Sequence, residues 1–292
     1  MSTTTRERRT ARPVPRHRWR TTLRLTLLSV VLFPICLVWV FPFIWVISAS
    51  VKSNKEIFAG LNLIPEVVRL DNYVRAWTEA NIGKYFFNTV FITFFSIVIA
   101  VGSTALIGYV LGRYRFPGKK VVIALFAAAI FLPEGYTIIP IFDLISAMGL
   151  SGSLWGVTLA EAGGAHVVTT LLFAGYFAQL PHELEEAARI DGAGFFRIFA
   201  QVYLPLAKPV VATAVILQFM SSWNSFLLPL VLTLARPELR TLAVGVYSFR
   251  GEYLNDWAGM AAASTITLVP IIVVFLFLQR YFVESIAGAL KS

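Results

Sequence analysis

The sequence predicts an all-α integral membrane protein with six transmembrane helices and both termini in the cytoplasm. Three observations carry that expectation. Apolar residues make up 57% of the chain and charged residues only 14%, against roughly 45–50% and about 25% in ordinary globular domains, and the mean hydropathy is +0.73. Six apolar runs are each long enough to cross a hydrocarbon core, which takes roughly 20 helical residues. Basic residues gather in alternate loops, as the positive-inside rule requires of a multi-pass chain.

The first run covers residues 25–47 and follows an arm, residues 1–24, that carries eight arginines against one acid, Glu7. A secretory signal peptide would also begin with a basic region. Its apolar part, though, would span only about 7–15 residues before a small-residue cleavage site. The run is therefore read as an uncleaved first helix, with Pro34 and Pro42 as possible kinks that neighbouring helices can accommodate. Residues 48–84, mixed in polarity and containing Gly60 and Pro65, read as an external loop. The second run, 85–111, ends at Gly112 and the basic loop Arg113, Arg115, Lys119 and Lys120. The third, 121–142, is interrupted by Pro133 and Pro140; the fourth, fifth and sixth cover 153–177, 210–232 and 257–282.

Charge orients these runs. The N-terminal arm, the 113–120 and 179–209 loops and the C-terminal end from Arg280 onward hold 17 Lys/Arg and 6 Asp/Glu, whereas the opposite loops hold 8 of each. The cationic excess thus lies on one side, which is cytoplasmic. The expected organisation is a cytoplasmic Arg-rich arm (1–24), one membrane domain (25–282) and a cytoplasmic tail (283–292). The net charge of +9 follows from topology, and no nucleic-acid partner is expected.

Several chemistries are disfavoured. A single cysteine, Cys36, leaves no intrachain disulfide and no multi-cysteine metal site. Residues 112–120, GRYRFPGKK, have five residues between the glycines and no Ser/Thr after the lysine, so they form no phosphate-binding loop. Glu134, Glu161 and His166 fall within apolar runs, where ionisable groups count as functional hypotheses; hydrogen bonding near a helix end or cavity is the plainer reading. The chain lacks a metalloprotease or serine-hydrolase motif, and no enzymatic activity is expected of it. Trp223 lies mid-way along the fifth run beside Ser222 and Asn224. Helix packing explains such a polar group, and so does a water-lined path holding a sugar against an indole face. Glu134, Tyr136, Ser222, Trp223 and Asn224 are the candidate substrate-pathway residues.

Residues 186–209, EAARIDGAGFFRIFAQVYLPLAKP, form the most polar segment between two long apolar runs. Pro181 suits a first helical turn, and Glu183, Glu185 and Glu186 place negative charge at the positive end of a helix dipole. Ala187 and Ala188 present a low face, and Gly192 breaks the helix. A second amphipathic stretch follows with Phe195, Phe196, Ile198, Phe199 and Val202, and Leu204-Pro205 starts the return to the membrane. The whole reads as a helix–turn–helix lying on the membrane surface, shaped for a groove in a soluble partner or simply interfacial.

This segment resembles the EAA motif of permease subunits in binding-protein-dependent ABC importers: E-A-A, three residues, Gly, nine residues, then I-x-L-P. Glu186, Ala187, Ala188, Gly192, Leu204 and Pro205 match at that spacing, with Val202 at the Ile position. Beyond the arm, the six runs, LDNY at 70–73, RYRFPGKK at 113–120 and WNSFLLPL at 223–230 are similar to the carbohydrate-uptake class, on the side of the MalG-like partner of maltose-type heterodimers. The long external loop of the MalF-like partner is absent.

The resemblance implies a type I ABC importer permease in the bacterial plasma (inner) membrane, forming half of a sugar or oligosaccharide pore. Its implied partners are a second, MalF-like permease, a dimer of ATP-binding subunits, an extracytoplasmic sugar-binding protein, the saccharide and membrane lipid. The chain itself would bind no cofactor, with ATP and Mg in the ATPase. The coupling loop would be residues 179–209, with Glu183, Glu186, Ala187, Ala188, Asp191, Gly192, Leu204 and Pro205 engaging the ATPase. Alternatives are a permease for a non-sugar solute such as glycerol phosphate or a polyamine, and an ion-gradient secondary transporter, which usually carries paired midplane charges or inverted repeats.

Overall fold

Apolar surface facing lipid forces every backbone polar group to be satisfied within the chain, and helices do this locally. The computed structural model describes residues 18–131, 134–164, 166–247, 249 and 255–289, and they are helical with no β-strand among them. Three helices are individually long and apolar enough to cross a membrane, and bent helix pairs raise the number to as many as five by length and composition.

Helix α1 (Arg18–Ala49) runs unbroken through Pro34 and Pro42. From Leu23 to Ile44 its described side chains are largely exposed, and only its last turn is packed, with Trp45, Val46 and Ala49 against Ile57, Ala258 and Ala261. The 48–84 segment is more ordered than the loop expected there. It holds α2 (Asn54–Phe58), capped by the Ser53 hydroxyl, and α3 (Asp71–Thr78). The reason is a buried amide. Asn72 Nδ2 donates to the carbonyls of Ser50 and Lys52, both at 2.9 Å, and its Oδ1 accepts from Arg75 at 2.8 Å.

Helix α4 (Ile82–Arg113) is the central column, and α3, α7, α8, α12 and α14 pack around it. Its buried face is small and hydroxylic: Thr89, Thr93, Ser96, Ala100, Thr104 and Ala105. Hydroxyls satisfied by their own helix, such as Thr89 Oγ1 to the Tyr85 carbonyl at 2.8 Å, let neighbouring backbones approach without stranding a polar group. Gly108 and Gly112, four apart on one face, take this furthest. A Cβ at Gly108 would lie 2.4 Å from Phe173 Cβ, and one at Gly112 would lie 2.7 Å from the Ala174 carbonyl oxygen.

The third apolar run is two helices, α5 (Lys119–Ala129), with no buried residue, and α6 (Ile138–Ala147), after a 3-10 turn at Glu134–Thr137. Pro133 falls in the pair of residues outside the description, between them. A proline supplies no N–H and clashes with the carbonyl four residues back, so a helix ends before it. The fourth run is α7 (Leu154–Ala162) and α8 (Val167–Gln179), bent by 53° across Gly163 and Gly164.

After α8 come α9 (Glu183–Ile190), α10 (Phe195–Ile198), a π-helical turn (Phe199–Tyr203), α11 (Leu204–Leu206) and α12 (Lys208–Asn224). The segment leading into α12 meets it at 84°. α13 (Leu227–Leu232) completes the fifth run, α14 (Leu242–Tyr247) lies in the loop beyond it, and α15 (Trp257–Ala289) passes through Pro270. Among the described residues, the largest buried cluster joins α4 and α8 to this segment through Tyr109, Phe173, Phe177, Ile198, Tyr203 and Ala207. The inner face of the second amphipathic stretch packs on the helix bundle, because Ile198, Tyr203 and Ala207 supply the apolar face that α4 and α8 leave open, while Phe196, Arg197, Ala200 and Gln201 stay exposed.

Candidate functional site

Helix α9 is short and would be marginal alone, so its position depends on what anchors it. Pro181 sits just ahead of the N-terminal cap His182, and the amides of Glu185 and Glu186 both donate to the His182 carbonyl. Glu183, Glu185 and Glu186 occupy the first turn, as the dipole favours. The other end closes on Gly192 at φ +78°. There the Gly192 amide donates to the Arg189 carbonyl at 3.0 Å and the Ala193 amide to Ala188 at 2.9 Å, the paired bonds of a Schellman closure. Ala188 and Ala193 both lie against the apolar cluster below. This is the turn expected of Gly192, and it supplies the left-handed backbone that glycine adopts without steric cost.

The exposed side of this unit carries apolar groups that no other described residue covers. Ile190 is 86% exposed and Phe196 is 70% exposed, with Leu184, Glu183, Glu186, Ala187 and Asp191 on exposed positions beside them. Leu204 is half-buried and Pro205 exposed in the turn ahead of α12. The motif residues are thus brought onto one short unit, with Glu183, Glu186, Ala187 and Asp191 outward and Ala188 against the cluster.

Its inner side is charged. The Glu185 carboxylate is buried and accepts from four groups: Arg113 Nε at 3.4 Å, Tyr114 Oη at 3.2 Å, Arg189 Nη2 at 2.6 Å and Tyr203 Oη at 3.3 Å. Arg113, the last residue of α4, has a side chain only 1% exposed. Its remaining N–H groups donate to the carbonyls of Phe177, Leu180 and Pro181 and to His182 Nδ1, the closest at 2.7 Å and 2.9 Å. Leu180 and Pro181 lie just past the end of α8, and the Phe177 carbonyl also accepts from the Leu180 amide at 3.3 Å. The guanidinium also lies 5.0 Å from the Tyr203 ring centroid, and Tyr109 meets Tyr114 at 3.2 Å between hydroxyls. Burial on its own would push the Glu185 carboxyl up, but hydrogen bonds from Tyr114, Arg189 and Tyr203 and the Arg189 charge hold it below the ordinary carboxylate range.

Sequence reasoning missed this inner set. Glu185 precedes the motif glutamate by one residue, and Arg113 reads as a topology charge. The i,i+4 spacing of Glu185 and Arg189 was legible; the Arg113 pairing, 72 residues away, was not.

The candidate substrate-pathway residues are not brought together in the same way. Ser222 and Trp223 are buried within the helix packing. Trp223 donates from Nε1 to the Thr267 carbonyl at 3.3 Å and stacks on Phe219 at 5.3 Å, and Ser222 accepts from Ser96 Oγ at 3.2 Å. For these two, packing explains the polarity without a ligand. Asn224 is exposed and donates to the Met220 carbonyl at 2.8 Å, and Tyr136 is 82% exposed. The Glu134 side chain lies outside the described residues. Glu161 is buried on α7, where its backbone carbonyl accepts from Gln218, and His166 Nε2 meets the Ala162 carbonyl at 2.9 Å.

Comparison with known proteins gives the family. Residues 85–288 match the family described as the binding-protein-dependent transport system inner membrane component. The chain is 35% identical over 247 residues to the diacetylchitobiose uptake system permease protein NgcG of Streptomyces coelicolor, covering 84% of this chain and 82% of that one. It is 33% identical over 261 residues to the arabinooligosaccharides transport system permease protein AraQ of Bacillus subtilis, covering 88% and 92%. A chain from the crystal structure of a bacterial ABC transporter involved in import of the acidic polysaccharide alginate superposes with a TM-score of 0.75 at 25% identity, covering 94% of this chain and 100% of that one. With the matched region spanning α4 to α15, the chain belongs to the family of inner membrane components of binding-protein-dependent transport systems.

Proposed function

We propose that this chain is one permease subunit of an ATP-driven sugar or oligosaccharide importer, coupled to a separate ATPase through α9 and the turn after it. Six spans account for the helices: α1, α4, α5–α6, α7–α8, α12–α13 and α15, with both termini, residues 1–24 and residues 283–292 cytoplasmic. A second permease completes the pore, and an extracytoplasmic binding protein delivers the saccharide. The diacetylchitobiose and arabinooligosaccharide relatives support a saccharide cargo.

One observation carries the coupling assignment: an exposed apolar edge, Leu184, Ile190 and Phe196, is held on a buried charged base. Exposed apolar groups of this size on an otherwise polar element mark a docking surface. Glu183, Glu186, Ala187, Ala188 and Asp191 flank or support that edge, and Gly192 sets the angle at which it is presented. Leu204 and Pro205 tie its far end to α12.

The test is affinity purification of the tagged chain in mild detergent, with mass spectrometry of what accompanies it. A second multi-span permease and an ATPase with a phosphate-binding loop are expected, and the accompanying binding protein can then be screened against saccharides. Recovery of the chain alone, or only as a homo-oligomer, would refute the assignment.

A further inference from the structure

The outer edge of α9 explains docking but not how docking moves the membrane helices. α8 and α9 are joined by three residues, whereas α4 adjoins neither in sequence, with α5, α6 and α7 lying between. Arg113 is what the fold places there. Its guanidinium uses its N–H groups on the Phe177, Leu180 and Pro181 carbonyls at the end of α8, on His182 ahead of α9, and on the Glu185 carboxylate. Tyr114 and Tyr203 close the set from the end of α4 and from the π-helical turn. A buried ion pair is weak evidence of stability by itself, since desolvation offsets much of the attraction. Here five donors in a rigid fork are all used on three different segments, which sets geometry more than strength.

Resting on the coupling reading above, we infer that Arg113 and Glu185 are positioning residues that lock α9 to the cytoplasmic ends of α4 and α8, so that ATPase-driven movement of α9 is carried into the pore helices as one rigid body. Neither side chain reaches the exposed edge of α9, so removing the pair leaves the docking surface in place.

The experiment uses the full permease–ATPase complex in lipid nanodiscs and follows backbone amide exchange with and without ATP plus vanadate. In the wild type, nucleotide changes protection in residues 183–190 and, together with them, in 106–113 and 172–179. In Glu185→Gln and Arg113→Lys the ATPase stays bound, and the nucleotide-dependent change survives in 183–190 but is lost in 106–113. Nucleotide-free protection of the rest of α4 stays as in the wild type, which a general loss of structure would not allow. If either variant does not yield a complex, Tyr203→Phe, which removes one hydroxyl, gives a partial loss of the same response. A nucleotide response in 106–113 unchanged across the variants would overturn the inference while leaving the coupling reading standing. Absence of any ATPase from the wild-type preparation would overturn that reading as well.

Discussion

Glutamine at position 185 would keep the shape of the side chain and remove the charge that four donors address. The depressed carboxyl of Glu185 contributes stability that is fully present above its unfolded value and is lost as pH falls through its lower folded value. The wild type should therefore lose melting temperature as pH drops through and below the ordinary carboxylate range. Glu185→Gln should lack that component of the slope, and parallel acid melting curves for the two would contradict the assignment. Glu185→Ala strands the Arg113 charge, and removal of one buried partner costs about 3–5 kcal/mol, read as a fall in detergent melting temperature. Gly192 behaves differently. The space around it is open but its φ is +78°, and an added carboxylate would stand next to Asp191. Gly192→Asp is expected to abolish transport while membrane insertion persists, and normal uptake by that variant would remove Gly192 from the coupling unit. At this scale the motif residues were legible because they fall at fixed spacing within one short segment. Glu185 was not, because the side that a glutamate faces depends on helix phase against a partner absent from the local sequence.

Between helices, the contact of α4 with α8 rests on the missing side chains of Gly108 and Gly112. Leucine at 108 must displace Phe173 or the α8 backbone, and overpacking of this kind costs about 1–3 kcal/mol. Gly108→Leu should lower the yield of folded protein and its melting temperature, whereas Gly102→Leu, at a position with open surroundings, should leave both near wild type. On α9, Ile190→Glu and Phe196→Glu would replace apolar area that docking buries. Each should weaken ATPase retention by about 2 kcal/mol, roughly thirtyfold, without altering insertion; undiminished retention by the double variant would place the docking surface elsewhere. Element boundaries followed sequence well in α4. They departed from it at Pro140, which α6 takes into its first turn without a break, at Gly163-Gly164 and in 48–84, where Asn72 builds helical structure into an expected loop.

For the whole molecule, a cysteine-accessibility or reporter-fusion map should place both termini, 113–120 and 183–197 on the cytoplasmic side and 54–80 and 233–247 outside. Either terminus on the outer face would refute the six-span reading. Composition, the lengths of the apolar runs and their basic flanks determined that this chain is helical and lives in a membrane, because lipid leaves the backbone few alternatives. The spacing of Glu186, Ala187, Ala188, Gly192, Leu204 and Pro205 pointed to the family, since those residues act through local geometry. Only the tertiary structure decided that Glu185 is the inward anchor, that Arg113 joins three segments, and that Ser222 and Trp223 are buried with hydrogen-bond partners on neighbouring helices. Each of these depends on which faces of helices distant in sequence meet, and burial turns a surface charge or hydroxyl into a group whose partners are dictated by those contacts.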